Sequence, residues 1–123
     1  MASNVDKEYP IPNINTILHK NNRGRLPVVQ VGVNGKVVHV LLDTGAGISY
    51  LPISKINLKD LDPTYQLQAH AANGTPILFH GIVKLALRMG NRVFEHTLHV
   101  SDDKDCPTEM LLGTDFMKKA FMK

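Results

Sequence analysis

The sequence predicts an all-β domain, a sheet or barrel of short strands with one short helix at its C-terminal end. Three observations predict it. Runs of β-branched or alternating apolar residues recur at close spacing, glycine-containing two-residue turns separate them, and only the last segment has helical character. A chain of 123 residues holds one such domain.

The first segment, 1–25, is polar and broken by prolines, with Tyr9-Pro10-Ile11-Pro12 followed by Lys20-Asn21-Asn22-Arg23-Gly24-Arg25; it reads as an arm or linker. The domain proper is expected over 26–123. Val28, Val29, Val31 and Val33 suit a strand. Asn34-Gly35 supplies the positive-φ pair of a tight hairpin, and Lys36 to Leu42 is the return strand. The same signature recurs downstream. Tyr65 to His70 alternates, Asn73-Gly74 turns, and Ile77-Leu78-Phe79 returns. Val83 to Arg88 alternates again, Gly90-Asn91 turns, and Val93 to Val100 answers. Asp115 to Phe121 is the predicted helix, with Thr114 or Asp115 as its cap.

Composition excludes several function classes. Hydrophobic residues are 43% and charged residues 20%, a globular profile. No apolar run approaches the ~20 residues of a membrane helix, and no signal-peptide core opens the chain. The formal charge of +3 comes from scattered Lys and Arg without interleaved aromatics, which argues against a nucleic-acid surface. One cysteine, Cys106, forms no internal disulfide and suits a reducing, cytoplasmic setting. With no base nearby in sequence, it reads as a bystander thiol.

His96 and His99 lie three apart on a predicted strand and so face opposite sides, which disfavours a shared metal ion. His39, His70 and His80 read as solvent-face residues. No metal or other cofactor is implied. Gly32, Gly35 and Gly90 lack the setting of a phosphate loop and belong to turns.

Asp43 is the residue that points to chemistry. It ends the apolar run Val40-Leu41-Leu42 and is followed by Thr44-Gly45-Ala46-Gly47. A carboxylate at the end of a buried strand costs free energy unless hydrogen bonds or a shared proton compensate. The small residues after it let backbone N–H groups and a ligand approach. Taken alone, Asp-Thr-Gly is also an ordinary turn composition.

Context adds specificity. Val40-Leu41-Leu42-Asp43-Thr44-Gly45-Ala46, then Ala72-Asn73-Gly74, then Leu111-Leu112-Gly113-Thr114-Asp115-Phe116 occur in an order that resembles the retropepsins, the aspartic proteases of retroviruses and LTR retrotransposons. The likeness runs from about Leu26 to Phe121. It implies a retropepsin-like closed sheet with a flap hairpin, and a C₂ homodimer. It also implies a peptide hydrolase acting on an extended peptide or polyprotein, in the cytoplasm or within virus-like particles.

Asp43 is then the catalytic residue, with Thr44 and Gly45 in support. Leu41, Ala46, Gly47 and Leu111 become candidate floor or pocket residues, and Ala72, Asn73 and Gly74 the flap tip. Two departures stand out. Gly47 and Thr114 occupy positions where many retroviral members carry a paired Asp and Arg, so the loop beside the site must be held in another way. Little sequence also follows the helix to form a C-terminal interface strand. Either the arm from Val5 to Leu18 supplies that strand or the chain continues beyond Lys123.

The chemistry needs an acid and a base on one water, and two close carboxylates share a proton because both cannot ionise readily. Only one matching turn is present. Asp60, Asp62, Asp102, Asp103 and Asp105 lack the Thr-Gly-Ala sequel and read as solvated, and the chain is too short for a two-lobed relative. Two copies of Asp43 across a two-fold axis complete the count. The alternative is a catalytically silent dimeric domain that binds peptide on the same scaffold, and a purely structural dimerisation module is a third reading. An intact buried acid favours the enzyme.

Overall fold

The computed structural model describes residues 18–21, 24–71 and 74–121. Among them the chain forms β1 (Leu18–Asn21), β2 (Gly24–Val33), β3 (Lys36–Leu42), β4 (Tyr50–Pro52), β5 (Leu67–His70), β6 (Pro76–Met89), β7 (Arg92–Ser101), β8 (Met110–Leu112) and helix α1 (Thr114–Ala120). Short 3₁₀ turns occur at Ile53–Lys55, Leu58–Asp60 and Asp103–Asp105. The strands run in the order β1-β2-β3-β8-β4-β7-β6-β5, and a β2–β6 pairing at Gly32 and Arg88 closes the sheet on itself.

Local chemistry explains the hairpins. Asn34 (φ 52°) and Gly35 (φ 82°) both take the left-handed conformation that a two-residue turn demands, and β2 then pairs with β3 from Val28↔Leu41 to Val33↔Lys36. In the turn from β6 into β7 Gly90 takes a positive φ (62°) and Asn91 does not. β2 begins at Gly24, and its first residues pair with β1, Leu18 opposite Pro27.

Two stretches expected as separate strands are one. Ile77–Phe79 and Val83–Arg88 belong to the 14-residue β6, which bends at an irregularity between Phe79 and Gly81 instead of breaking. The bend lets one strand serve two clusters. Ile77 and Phe79 lie under the cleft with Leu41, Tyr50 and Leu111, whereas Val83, Leu87 and Met89 join the main core around Val31, Val40, Leu98 and Phe116.

Strands β4 and β8, three residues each and fully buried, were not separable by periodicity. They build the parallel part of the sheet, with β8 beside β3 (Leu41↔Leu111) and β4 beside β7 (Leu51↔Val100).

Alternation along β3 and β8 does the sorting. Val40, Leu42, Met110 and Leu112 face the main core, whereas Leu41 and Leu111 face the cleft. Helix α1 starts one residue earlier than expected. Its N-cap is Gly113, without a side-chain cap, so neither Thr114 nor Asp115 takes the cap position. Asp115 is drawn into contacts with Ser49 and His96 instead. Buried Phe116, Met117 and Ala120 seat the helix on the core. No described helix is long and apolar enough to cross a membrane.

At Gly81 a Cβ would stand 2.3 Å from the Asp62 carbonyl oxygen, where Asp62 and Ile82 exchange backbone hydrogen bonds. Gly81→Ala is therefore expected to destabilise the domain by about 1–3 kcal/mol. Chemical denaturation measures it, with Gly47→Ala, which meets nothing within 4 Å, as the neutral control.

Candidate active site

Asp43 follows the last residue of β3 and is 1% exposed. Its N–H donates to the Leu112 carbonyl at 2.9 Å, continuing the β3–β8 pairing one residue past the strand. Its carbonyl accepts the Ala46 N–H at 3.1 Å, closing the turn. Gly45 N–H donates to the Asp43 Oδ1 at 2.9 Å, as the small residues after the acid allow. Thr44, Gly45 and Gly47 are exposed around the buried carboxylate.

The loop is bound to the β8–α1 corner. Thr114 N–H donates to the Ala46 carbonyl at 2.8 Å, and Gly113 N–H donates to Ser49 Oγ at 3.0 Å. The corner is tight: a Cβ on Gly113 would meet the Ala46 and Ile48 carbonyl oxygens at 2.5 and 2.6 Å. Ser49 donates twice to Asp115, through Oγ at 2.6 Å and through N–H at 3.1 Å. Asp115 also accepts from Phe116 N–H at 2.8 Å and lies 3.2 Å from His96 Nε2. Burial pushes the Asp115 carboxyl up, but the His96 and Ser49 hydrogen bonds outweigh it and hold the group below its ordinary range.

Above Asp43 lies a cleft of about 360 Å³. Asp43, Gly45, Ala46, Gly47 and Leu111 are among the residues that line it. Leu41 lies directly below, 3% exposed in the cluster under the floor. Thr44 is not among the lining residues. Gly74 is described, with φ 88°, and its N–H donates to the Ala71 carbonyl at 2.9 Å at the end of the β5–β6 hairpin. Ala72 and Asn73 lie outside the described residues, as does the arm up to Ile17.

Sequence reasoning did not single out the rest of the wall. Leu67 and Ala69 on β5 stand opposite Phe79 and Ile77 on β6, and all four line the cleft. Their shared face follows from strand alternation once the hairpin register is known. With His70 and Ala71 at the end of β5, Tyr50 and Ile48 complete the lining. Tyr50 packs edge-on against Phe79 at 5.0 Å, and its hydroxyl donates to the Asp105 carbonyl at 3.2 Å. Ile48 and Tyr50 fall in the Gly-rich loop and in the three-residue β4, where the local pattern carries no signal.

The histidines divide as their spacing implies. His96 is 7% exposed and meets Phe116 and Asp115, whereas His99 packs on Phe79 at 5.4 Å. Burial lowers the pKa of His99, with the Asp115 charge opposing. Cys106, half-buried beside the cleft cluster, has its thiol pushed up to about 11 by burial. It stays protonated at neutral pH, as a bystander would.

With this geometry in hand, residues 29–119 match the family described as "gag-polyprotein putative aspartyl protease". Among curated proteins none matches the chain. Many solved structures share the fold, among them the following three. EIAV protease complexed with the inhibitor HBY-793 is 22% identical, with a TM-score of 0.61 over 85% of this chain and 97% of that one. A retropepsin-like aspartic protease from Rickettsia conorii is 23% identical, with a TM-score of 0.57 over 83% and 84%. The retroviral protease-like domain of Ddi1 from Leishmania major is 15% identical, with a TM-score of 0.60 over 75% and 74%. The fold is that of the retropepsins.

Two outcomes follow for stability. Asp115 accepts four donors, and a carboxamide has one oxygen, so in either orientation Asp115→Asn turns its NH₂ toward the N–H of Ser49 or of Phe116. Thermal or chemical denaturation is expected to show a loss of about 1–3 kcal/mol despite the equal size. The pH dependence has two windows. His99, lowered from 6.5, favours the unfolded chain once pH falls below that value, so stability declines from there and His99→Phe flattens the decline. The Asp115 contribution is intact above its unfolded value near 3.8 and is lost as pH falls through its lower folded value. Melting temperatures from pH ~8 to ~3 separate the two.

Proposed function

The chain belongs to the gag-polyprotein aspartyl protease family, and from that membership we propose that it is a homodimeric aspartic endopeptidase that cleaves polyproteins. The observation that carries this reading is the placement of Asp43, a carboxylate 1% exposed at the floor of a largely apolar cleft, on a loop tied by hydrogen bonds to β8 and α1.

Symmetry supplies the second acid. Thr44 and Gly45 are exposed next to the buried Asp43, so a second copy can approach on that side, bringing its own Asp43 close and its Thr44 hydroxyl within reach of the neighbouring loop. One proton is then shared by two carboxylates. The ionised carboxylate takes a proton from water as the water oxygen attacks the scissile carbonyl carbon. The protonated mate donates its proton to the carbonyl oxygen, giving a tetrahedral diol. As the diol collapses, one hydroxyl returns its proton to the ionised carboxylate, the C–N bond breaks, and the amine nitrogen leaves with the proton of the other carboxyl.

The substrate lies extended between the β5–β6 flap and the floor. Main-chain hydrogen bonds give it grip, and alternate side chains enter the apolar wall of Tyr50, Ile77 and Phe79. Leu41 shapes the floor from below. Gly74, at the end of the β5–β6 hairpin, belongs to the flap, where a small residue permits opening. Cleavage requires no metal or cofactor in this scheme.

The competing reading, a catalytically silent peptide-binding domain, has one finding in its favour. The fold is shared with a domain described as retroviral protease-like, so fold alone does not separate enzyme from binder. The buried acid favours the enzyme, because a binder has no use for its desolvation cost.

Digestion of an unstructured protein at about pH 5 tests the proposal, with Asp43→Asn expected to lower the rate at least about 100-fold. Specific activity is expected to fall on dilution as dimers dissociate. Equal digestion by wild type and variant, or none by either at high concentration, would turn the assignment to the binding domain.

A further inference from the structure

His96 is almost fully buried on β7, away from the cleft wall, yet hydrogen bonds connect it to the loop that carries Asp43. Its Nδ1 lies 3.2 Å from Lys119 Nζ, and its Nε2 lies 3.2 Å from Asp115 Oδ2. An ammonium has donors only, so Nδ1 must accept. The imidazole therefore carries its proton on Nε2 and donates it to Asp115. The edge-on Phe116 ring, 5.1 Å away at 76°, restricts the imidazole plane. Lys119 is itself fixed by a 2.6 Å hydrogen bond to the Glu95 carbonyl, which ties the last turn of α1 to β7. The order of contacts runs from Lys119 through His96, Asp115 and Ser49 to Gly113, next to the Thr114–Ala46 bond that closes the Asp43 loop.

We propose that His96 is a positioning residue: locked in one tautomer by Lys119, it holds Asp115 and, through Ser49, sets the geometry of the Asp43 loop. The kinetic part rests on the endopeptidase reading; the tautomer and the loop anchoring do not. The physical case is one of leverage. Without the Nε2–H donor the Asp115 Oδ2 keeps only the Ser49 N–H, so one of its four anchors is gone and the bonds to Ser49 gain room to shift. The loop needs to move only a fraction of an ångström for the acids to leave their shared geometry, and misplacement of about 1 Å can cost ~100-fold in rate. Binding of an extended peptide by the cleft wall is little affected, so kcat responds and KM does not.

Three variants test this. His96→Phe keeps a ring against Phe116 and removes both polar contacts. His96→Gln restores a donor toward Asp115. Lys119→Met keeps the stem and removes the tautomer lock. At a temperature where circular dichroism shows all of them folded, His96→Phe is expected to lower kcat about ten-fold with KM within about two-fold. His96→Gln should return to within about three-fold of wild type, with Lys119→Met between the two. Independently of activity, imidazole ¹⁵N shifts should place the His96 proton on Nε2. Amide exchange at Ser49 and Gly113 should quicken at least about ten-fold in His96→Phe.

Wild-type kcat in His96→Phe, or equal losses in His96→Phe and His96→Gln, would overturn the proposal. So would a proton on Nδ1 or unchanged exchange at Ser49 and Gly113. If the wild type cleaves nothing, the endopeptidase reading fails, while the shifts and exchange rates still decide whether His96 anchors the loop.

Discussion

A carboxylate that ends a core strand needs a donor and a loop held in place to present it. Gly45 N–H is the donor, and the parallel pairing of β3 with β8 anchors the loop. It brings the Leu112 carbonyl to the Asp43 N–H and sets α1 directly beyond the acid. The loop from Thr44 to Ser49 then closes on Gly113 and Thr114 rather than on solvent. Had β8 joined elsewhere in the sheet, the same loop residues would form an ordinary exposed turn.

The polar cluster at the helix start serves the same end. Here one carboxylate, Asp115, takes donors from the loop, the helix and β7 together. A carboxylate held below its ordinary pKa by such donors stays ionised into acid, the range in which a proton-sharing dyad works. The two acids are therefore separated by environment: Asp43 faces the cleft, and Asp115 faces a cage of donors.

Much of this was legible in the amino-acid order because its signals are local. Asn34-Gly35 and Gly90 dictate turns by backbone sterics, and the run Val40 to Leu42 before Asp43 marks a core strand ending in an acid. The short helix is visible for the same reason, through Phe116, Met117 and Ala120 on one side. The three-residue strands β4 and β8 were hidden because they are too short to show a period. The bend that keeps β6 continuous was hidden because it depends on contact with Asp62, 19 residues earlier in the chain.

The amino-acid order by itself determined the strand-rich class, the hairpin turns and the singling out of Asp43 with its small-residue sequel, since each depends on steric and polarity preferences acting over a few residues. Tertiary structure alone decided that Tyr50, Ile77 and Phe79 share a cleft wall, that Ser49 and His96 converge on Asp115, and that the helix begins without a side-chain cap. Those outcomes depend on sheet order and register between segments up to 66 residues apart. No local preference encodes them, because they arise only when closure of the sheet forces distant polar groups to find partners away from water.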